Sequence, residues 1–468
     1  MTALWTAETV VQATGGTTEG DWVASGVSID TRTLAPGDLF VALVGPNRDA
    51  GHFVAQAFER GAVAAVVSSL PEGDLDPAGL VLVTDTQLAL EGLGRSGRQR
   101  TRARIAGVTG SVGKTGTKDA LRHVLSRQAP TYASAASYNN QWGVPLSLAR
   151  LPEAASYGVF ELGMNHAGEI RALTEQVRPH VALITAIAAA HLEFFPSIEA
   201  IADAKGEIFE GLEPGGVAVL NRDSDHYDRL RRHAERCGAA RTVSFGRHPA
   251  ADWRLGELRL APEHGEVVVI RAGRQLTFRL GSPGEHVALN SLGVLAVAEA
   301  LGADVAHAAG SLADLRPPAG RGERRRIAVP GGHALLIDES YNANPASMRA
   351  ALAVLGQTPG RRVAVLGDML ELGEQSRHLH AALAQSVERA AVDLVFTCGP
   401  HMARLHDALP AIRRGAHAPD SAALVPEVLD ALRPGDVLLV KGSLGSRMAC
   451  IVSALALRGE TSASQAAR

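Results

Sequence analysis

Short apolar runs recur along the whole chain, alternating with stretches whose apolar positions fall three and four apart. In the first hundred or so positions the runs at 27–32, 38–43, 62–67 and 80–84 predict strands, and 53–60 predicts a helix. The alternation continues through 105–108, 157–161, 181–187 and 216–220, the pattern of a parallel sheet with helices on both faces. Residues 252–280 break it. There Glu266-Val-Val-Val-Ile270 and Leu276-Thr-Phe-Arg-Leu280 sit among polar positions with almost no helical spacing, which predicts an antiparallel appendage. A helix is expected at 287–301, and Pro317-Pro318 marks a boundary. Beyond it, runs at 334–337, 363–366, 393–397 and 436–440 predict a second, smaller doubly wound sheet. The last ten residues, Gly459 to Arg468, are small and polar and are expected to be a disordered tail. The fold class is α/β in three domains, 1–100, 101–313 and 314–458.

One stretch carries chemistry on its own: Ile105-Ala-Gly-Val-Thr-Gly-Ser-Val-Gly-Lys-Thr-Gly-Thr-Lys118. A buried strand passes through a glycine-bearing turn into a helix. Backbone N–H groups of Thr109, Gly110, Ser111, Val112 and Gly113 and the helix start face an anion, Lys114 adds a point charge, and Thr115 offers a hydroxyl to Mg²⁺. The usual phosphate loop has a glycine where Val108 stands, so this is a shortened variant. It predicts a nucleoside triphosphate ligand. The competing reading is a glycine-rich turn that happens to contain a lysine.

Composition narrows the setting. With 468 residues, 46% hydrophobic and 20% charged, the chain is an ordinary globular one, and a net charge of −3 gives no reason to expect nucleic acid or an anionic membrane as partner. Cys237, Cys398 and Cys450 form no CxxC or metal spacing, which fits a reducing cytoplasm. No signal peptide is visible at the N-terminus, and the longest apolar run, 181–190, is far short of the ~20 residues of a spanning helix. A cytoplasmic, monomeric protein is expected. The glycine- and arginine-rich stretch 92–104 reads as a solvated helix end and linker, or as a nucleic-acid tail. Only four of the 46 basic residues are lysines (114, 118, 205 and 441), so a lysine here marks a place where an amine is required.

Two further residues, like the phosphate loop, fall in the ligand zone of an open sheet, beyond the carboxyl ends of its strands. Glu161 closes an apolar run, and His191 lies four residues past Ile187. Each alone is better explained as a cap or a satisfied polar contact; beside a Mg·ATP site they could ligate divalent ions. Lys205 falls on the apolar stripe Ile198, Ile201, Ile208/Phe209, Leu212, hence on the buried face of its own helix. Burial favours the neutral amine, which can take up CO₂ as a carbamate and so become a long, metal-binding carboxylate. Snorkelling to the edge, or pairing with Glu161, is the alternative.

Taken in order, these motifs resemble the Mur ligases, the ATP-dependent amide-forming family of peptidoglycan assembly. The likeness runs from Ser28-Ile-Asp-Thr-Arg32 to Lys441-Gly-Ser-Leu-Gly-Ser-Arg-Met448. It includes Asn139-Asn-Gln-Trp-Gly-Val-Pro145, Glu161-Leu-Gly-Met-Asn-His-Ala-Gly-Glu-Ile170, His191-Leu-Glu193, Ala204-Lys-Gly-Glu-Ile208, Ser340-Tyr-Asn-Ala-Asn-Pro345 and Leu366-Gly-Asp-Met-Leu-Glu-Leu-Gly373. The resemblance implies a smaller N-terminal α/β domain that binds the uridine diphosphate end of a substrate. It implies a central P-loop ATPase domain, and a C-terminal Rossmann-like domain that binds ATP and an incoming dipeptide. The substrates implied are UDP-N-acetylmuramoyl-tripeptide and D-alanyl-D-alanine. Lys114 would hold the transferred phosphate. Thr115 and Glu161 would bind one Mg²⁺, and His191 with N6-carboxylated Lys205 a second. Asn290 would contact adenine, and Arg321, Asp338 and Glu339 would reach ATP from the third domain. Ser28, Arg32 and Asn47 would bind the uridine diphosphate end, with Asn139, Asn140 and Asn342 also on the substrates. Three positions depart from the family pattern: Asp338-Glu339 in place of two aspartates, Gly116 in place of Ser or Thr, and the shifted Asp49-Ala-Gly-His-Phe53. A family member that adds a single amino acid to a muramyl peptide or glutamate to folate, and a nucleotide-gated binding protein without catalysis, remain as alternatives.

Overall fold

In the computed structural model the described residues are 3–45, 48–71, 75–135 and 137–466. Three sheets carry the fold. The first is four-stranded and parallel, in the order Gly26–Ser28, Asp38–Val41, Ala64–Val67, Leu80–Leu82. All four expected runs form strands, but the first stops at Ser28, where Asp30 turns the chain back by accepting from Arg32 N at 2.9 Å.

The second sheet has nine strands. Arg104–Thr109 lies inside it, flanked in parallel by Tyr157–Glu161 on one side and Val181–Ile184 on the other. Strand order reverses at this point, which opens a crevice above the carboxyl ends. Side chains alternate between two cores, as a parallel strand buried on both faces requires. Ala106, Val108, Val159 and Leu183 face the helices Lys114–Ser126 and Glu285–Ala300. Ile105, Phe160, Ala182 and Ile184 face Glu169–Val177, Ile198–Gly206 and Tyr227–Arg236. The antiparallel appendage is present as Trp253–Leu260, Gly265–Arg271 and Arg274–Leu280, and it extends this same sheet.

The third sheet runs Glu323–Val329, Gly332–Glu339, Asp436–Lys441, Arg361–Gly367, Leu394–Cys398, Arg414–Ala418. Only its first pair is antiparallel. The two outer strands were not expected, because Glu-Arg-Arg-Arg and Arg-Gly-Ala-His lack an apolar run.

One expectation is corrected. Residues 92–100 belong to one helix, Thr86–Arg100, and its glycine face is buried rather than solvated. A Cβ on Gly94 would come within 2.9 Å of Pro145, and one on Gly97 would collide with the carbonyl of Leu148. The arginines bond inward: Arg98 donates to the carbonyls of Val177 and Arg178, and Arg100 to those of Leu4, Ala149 and Leu151. The last helix spans Ala449–Ala466 and so runs into the segment expected to be a disordered tail.

Candidate active site

The phosphate loop is built by its glycines. Gly110 (φ 152°) and Gly113 (φ 83°) adopt backbone that L-residues avoid. A Cβ on Gly113 would also press on Asn290 at 2.6 Å. The following helix begins at Lys114 with no side-chain cap, so its first N–H groups remain available to an anion. Ser111 N donates to Ala186 O at 2.8 Å and Thr185 Oγ1 to Val112 O at 2.6 Å, which staples the loop to the neighbouring strand end. Thr109 turns inward and donates to Leu162 O at 2.8 Å. Thr109 and Gly110 therefore shape the loop from beneath, while Ser111 to Thr115 line the cleft above it.

That cleft holds about 840 Å³ between the second and third sheets. On its floor Lys114 Nζ donates to Gly110 O at 2.7 Å. Enclosure of this amine is the main cause that lowers its pKa, and the nearby Arg321 charge adds to it, against Glu161 and Glu371. Thr115 Oγ1 donates to Glu161 Oε2 at 2.8 Å, and Asn139 Nδ2 donates to Glu161 Oε1, also at 2.8 Å. His191 lines the same space, its Nδ1 lying 2.6 Å from Glu371 Oε2. Lys205 is 1% exposed, and burial together with the Lys114 charge pushes its pKa well below the ordinary lysine value.

The opposite wall comes from the third domain. Arg321 reaches across to Ser137 Oγ at 3.1 Å and stacks over the Tyr341 ring at 4.1 Å. Glu339 faces the cleft and pairs with the buried Lys441 at 3.1 Å. Asp338 points the other way, as the pleat demands of its neighbour. It accepts from Ser340 N at 3.1 Å and lies 3.4 Å from Arg325, away from the cleft lining. Asn342 lines the cleft, and Lys441 Nζ also donates to its carbonyl at 2.9 Å.

Family models match two long segments, "Mur ligase middle domain" at 108–298 and "Mur ligase, glutamate ligase domain" at 320–444. The chain belongs to the Mur ligase family. This Mur ligase is 36% identical to the UDP-N-acetylmuramoyl-tripeptide–D-alanyl-D-alanine ligase of Escherichia coli K12 over 442 residues, covering 94% of this chain and 95% of that one. It is 32% identical to the enzyme of the same name from Rickettsia prowazekii, over 96% of this chain and 99% of the other. Among solved structures, MurF from Acinetobacter baumannii superposes with a TM-score of 0.84 at 32% identity, covering 96% of this chain and 98% of that one. MurF from Thermotoga maritima, solved in complex with ADP, superposes at 0.77 with 26% identity, covering 93% and 98%.

The remaining expected residues of this Mur ligase are placed as follows. Asn140 lines the cleft, but its Oδ1 is spent on Trp142 N and Gly143 N at 3.2 and 2.9 Å, ahead of the helix Gly143–Ala149. Ser28 and Arg32 are outside the cleft lining: Ser28 Oγ donates to Asp30 O, and Arg32 pairs with Asp30 at 2.6 Å. Asn47 lies outside the described residues. Sequence reasoning did not single out Ser137, Glu371 or Lys441 as site residues. The scarcity of lysine was the signal for Lys441, and the 366–373 motif was the signal for Glu371.

Among the described residues no three His, Cys, Asp or Glu side chains gather as a metal cage. The donors on the cleft floor are instead a hydroxyl, a carboxylate and an imidazole. The hydroxyl and the carboxylate are the hard oxygen donors that Mg²⁺ takes, the rest of its ligands coming from water and phosphate, whereas the imidazole is a softer donor.

Proposed function

We infer that the chain is an ATP-dependent ligase that joins D-alanyl-D-alanine to the terminal carboxylate of UDP-N-acetylmuramoyl-tripeptide, in the synthesis of peptidoglycan precursor. The observation that carries the reading is the Thr115–Glu161 pair beside Lys114 on the floor of a cleft whose other wall, with Arg321, Glu339 and Lys441, belongs to another domain. A carboxylate is a poor electrophile, so the γ-phosphoryl group of ATP passes to it first, giving an acyl phosphate and ADP. The amine of the dipeptide then attacks the acyl carbon, the C–N bond forms, phosphate leaves with the C–O bonding pair, and the proton lost from the nitrogen passes to the departing phosphate. Lys114 and the free N–H groups of the Lys114–Ser126 helix hold the phosphates in line. Arg321 braces them from above, and contact of the two walls excludes water from the acyl phosphate.

Thr115 and Glu161 would hold one Mg²⁺, and His191 with an N6-carboxylated Lys205 a second; bound there, the ions neutralise charge on the transferring phosphoryl group. Asn290, packed on Gly113, would meet the base. The uridine diphosphate end would lie on the N-terminal domain near Ser28 and Arg32. No helix among the described residues is long and apolar enough to cross a membrane.

The test is a ligation assay with ATP and UDP-N-acetylmuramoyl-tripeptide, offering D-alanyl-D-alanine, meso-diaminopimelate or glutamate as acceptor. Release of ADP and phosphate that depends on D-alanyl-D-alanine is expected. Formation of AMP and pyrophosphate, or equal use of a single amino acid, would overturn the reading.

A further inference from the structure

Among the described residues six side-chain-bearing ones adopt left-handed backbone, and two of these touch each other across the cleft: His191 (φ 60°) and Glu371 (φ 62°). His191 follows the Val181–Ile184 strand of the middle domain, and Glu371 follows the Arg361–Gly367 strand of the C-terminal one. The backbones meet as well, Glu193 N donating to Glu371 O at 3.2 Å. Such conformations persist only where the surroundings enforce them, and they concentrate at working sites.

The surroundings on the Glu371 side are explicit. Met369 N donates to His380 Nε2 at 3.0 Å, and the other nitrogen of that buried ring lies 2.7 Å from Ser376 O. Leu370 N donates to Ser443 Oγ at 2.9 Å, and Ser443 N donates to Asp368 O at 2.9 Å. Three residues in a row are thus pinned ahead of Glu371, which is left to project into the cleft. On the other side Phe194 N donates to His191 O at 2.9 Å.

His191 Nδ1 is buried and, although only 2.6 Å from Glu371 Oε2, lacks hydrogen-bond alignment with it. A histidine that ligates a cation through one nitrogen generally engages a carboxylate or carbonyl through the other, which sets its tautomer and ring orientation. Catalytic contacts of this kind commonly reach full alignment only in the substrate complex. We propose that Glu371 is a positioning residue of the ligase reaction: it orients His191 from the opposite domain, so that the cation site of the middle domain is complete only when the two domains meet. This rests on the reading of His191 as a cation ligand. It gives the 366–373 motif a task, and it makes domain contact a condition for binding the ion rather than a consequence of it.

The experiment uses the full-length enzyme with saturating ADP and Mn²⁺ as the probe, free Mn²⁺ being measured by electron paramagnetic resonance. Glu371→Ala is expected to raise the Mn²⁺ half-saturation by about tenfold or more. Glu371→Gln should lie between it and the wild type, because the amide oxygen still accepts from Nδ1–H without the charge. Glu374→Gln, at an exposed neighbour, should bind as the wild type does. Small-angle scattering of the same samples should show a larger radius of gyration for Glu371→Ala. Wild-type Mn²⁺ binding by Glu371→Ala, or an equal shift in Glu374→Gln, would overturn the proposal. If Mn²⁺ binding depends on Glu371 but the wild type makes no amide from D-alanyl-D-alanine, the proposal stands and the ligase reading falls.

Discussion

Thr115 donates to Glu161 across 2.8 Å, tying the first turn of the helix after the phosphate loop to the end of the adjacent strand. The other carboxylate oxygen of Glu161 accepts from Asn139 Nδ2, and both Thr115 and Glu161 line the cleft. Glu161→Gln keeps the shape and removes the charge. We expect kcat to fall by about 10²-fold with modest change in melting temperature. Thr115→Ser should retain most activity and Thr115→Val should not. Coupled ADP release measures both, and a Glu161→Gln enzyme within twofold of wild type would remove the pair from the chemistry.

The two acids at the end of the Gly332–Glu339 strand separate by face. Glu339→Gln is expected to raise the KM for ATP about tenfold, since its carboxylate lines the cleft beside Lys441. Asp338→Ala should leave that KM unchanged. It should instead cost about 1–3 kcal/mol of stability, because the buried carboxylate serves Ser340 N and Arg325. Steady-state kinetics and urea melts on the two variants distinguish the roles, and reversed results would mean that the strand faces are misassigned.

Lys205 is the place to look for a carbamate. Burial and the Lys114 charge both lower its pKa, so near neutral pH more of the amine is uncharged than in an exposed lysine. Lys205→Ala should lose about 10²-fold or more in kcat and regain part of it with added formate or acetate. Lys205→Arg, which cannot form the adduct, should be inactive. Full activity of Lys205→Ala without additive would exclude the residue from the mechanism.

His180 gives the molecule an acid limit. Its Nδ1 accepts from Ile105 N at 3.0 Å on the strand that leads to the phosphate loop. Burial, then Arg104 and Arg98, pull its pKa down to about 4. Above pH 6.5 the ring is neutral in both folded and unfolded chains and contributes no slope. Below 6.5 the unfolded chain takes up the proton first, so stability falls until pH reaches about 4. The full shift corresponds to ~3 kcal/mol; with the ring partly in water about 1–2 kcal/mol is expected. Thermal melts from pH 7 to 4 should show a shallower acid slope in His180→Asn, and an unchanged slope would refute the assignment.

Much of this was legible in the chain because parallel strands buried on both faces must be continuous apolar runs. The strand before the phosphate loop and the burial of Lys205 both follow from spacing alone. The two outer strands of the third sheet were not legible, since Arg-rich or small residues suffice where only one face or one edge is covered. The face of Asp338 against Glu339 needed the register of the strand. Asn140 was legible as an amide at the cleft, but the use of its Oδ1 by Trp142 N and Gly143 N was not, because a single side chain carries no mark of its partners. The meeting of His191 with Glu371 was invisible for a different reason. It joins residues 180 positions apart through left-handed backbone, which side-chain-bearing residues adopt rarely and which spacing does not reveal.

The helix Thr86–Arg100 has one further consequence. Its glycines let it lie directly on Gly143–Ala149, and Trp5 Nε1 donates to Ala149 O at 3.0 Å. Leu146 and Ala149 share a core with Trp5, Val10 and Leu93. The first two domains are therefore joined through a common interior rather than by a tether. A long substrate anchored at one end on the first domain would have its other end delivered at a set reach, and the joint would then act as a ruler. Peptides one residue too short or too long would present their carboxylate off the mark.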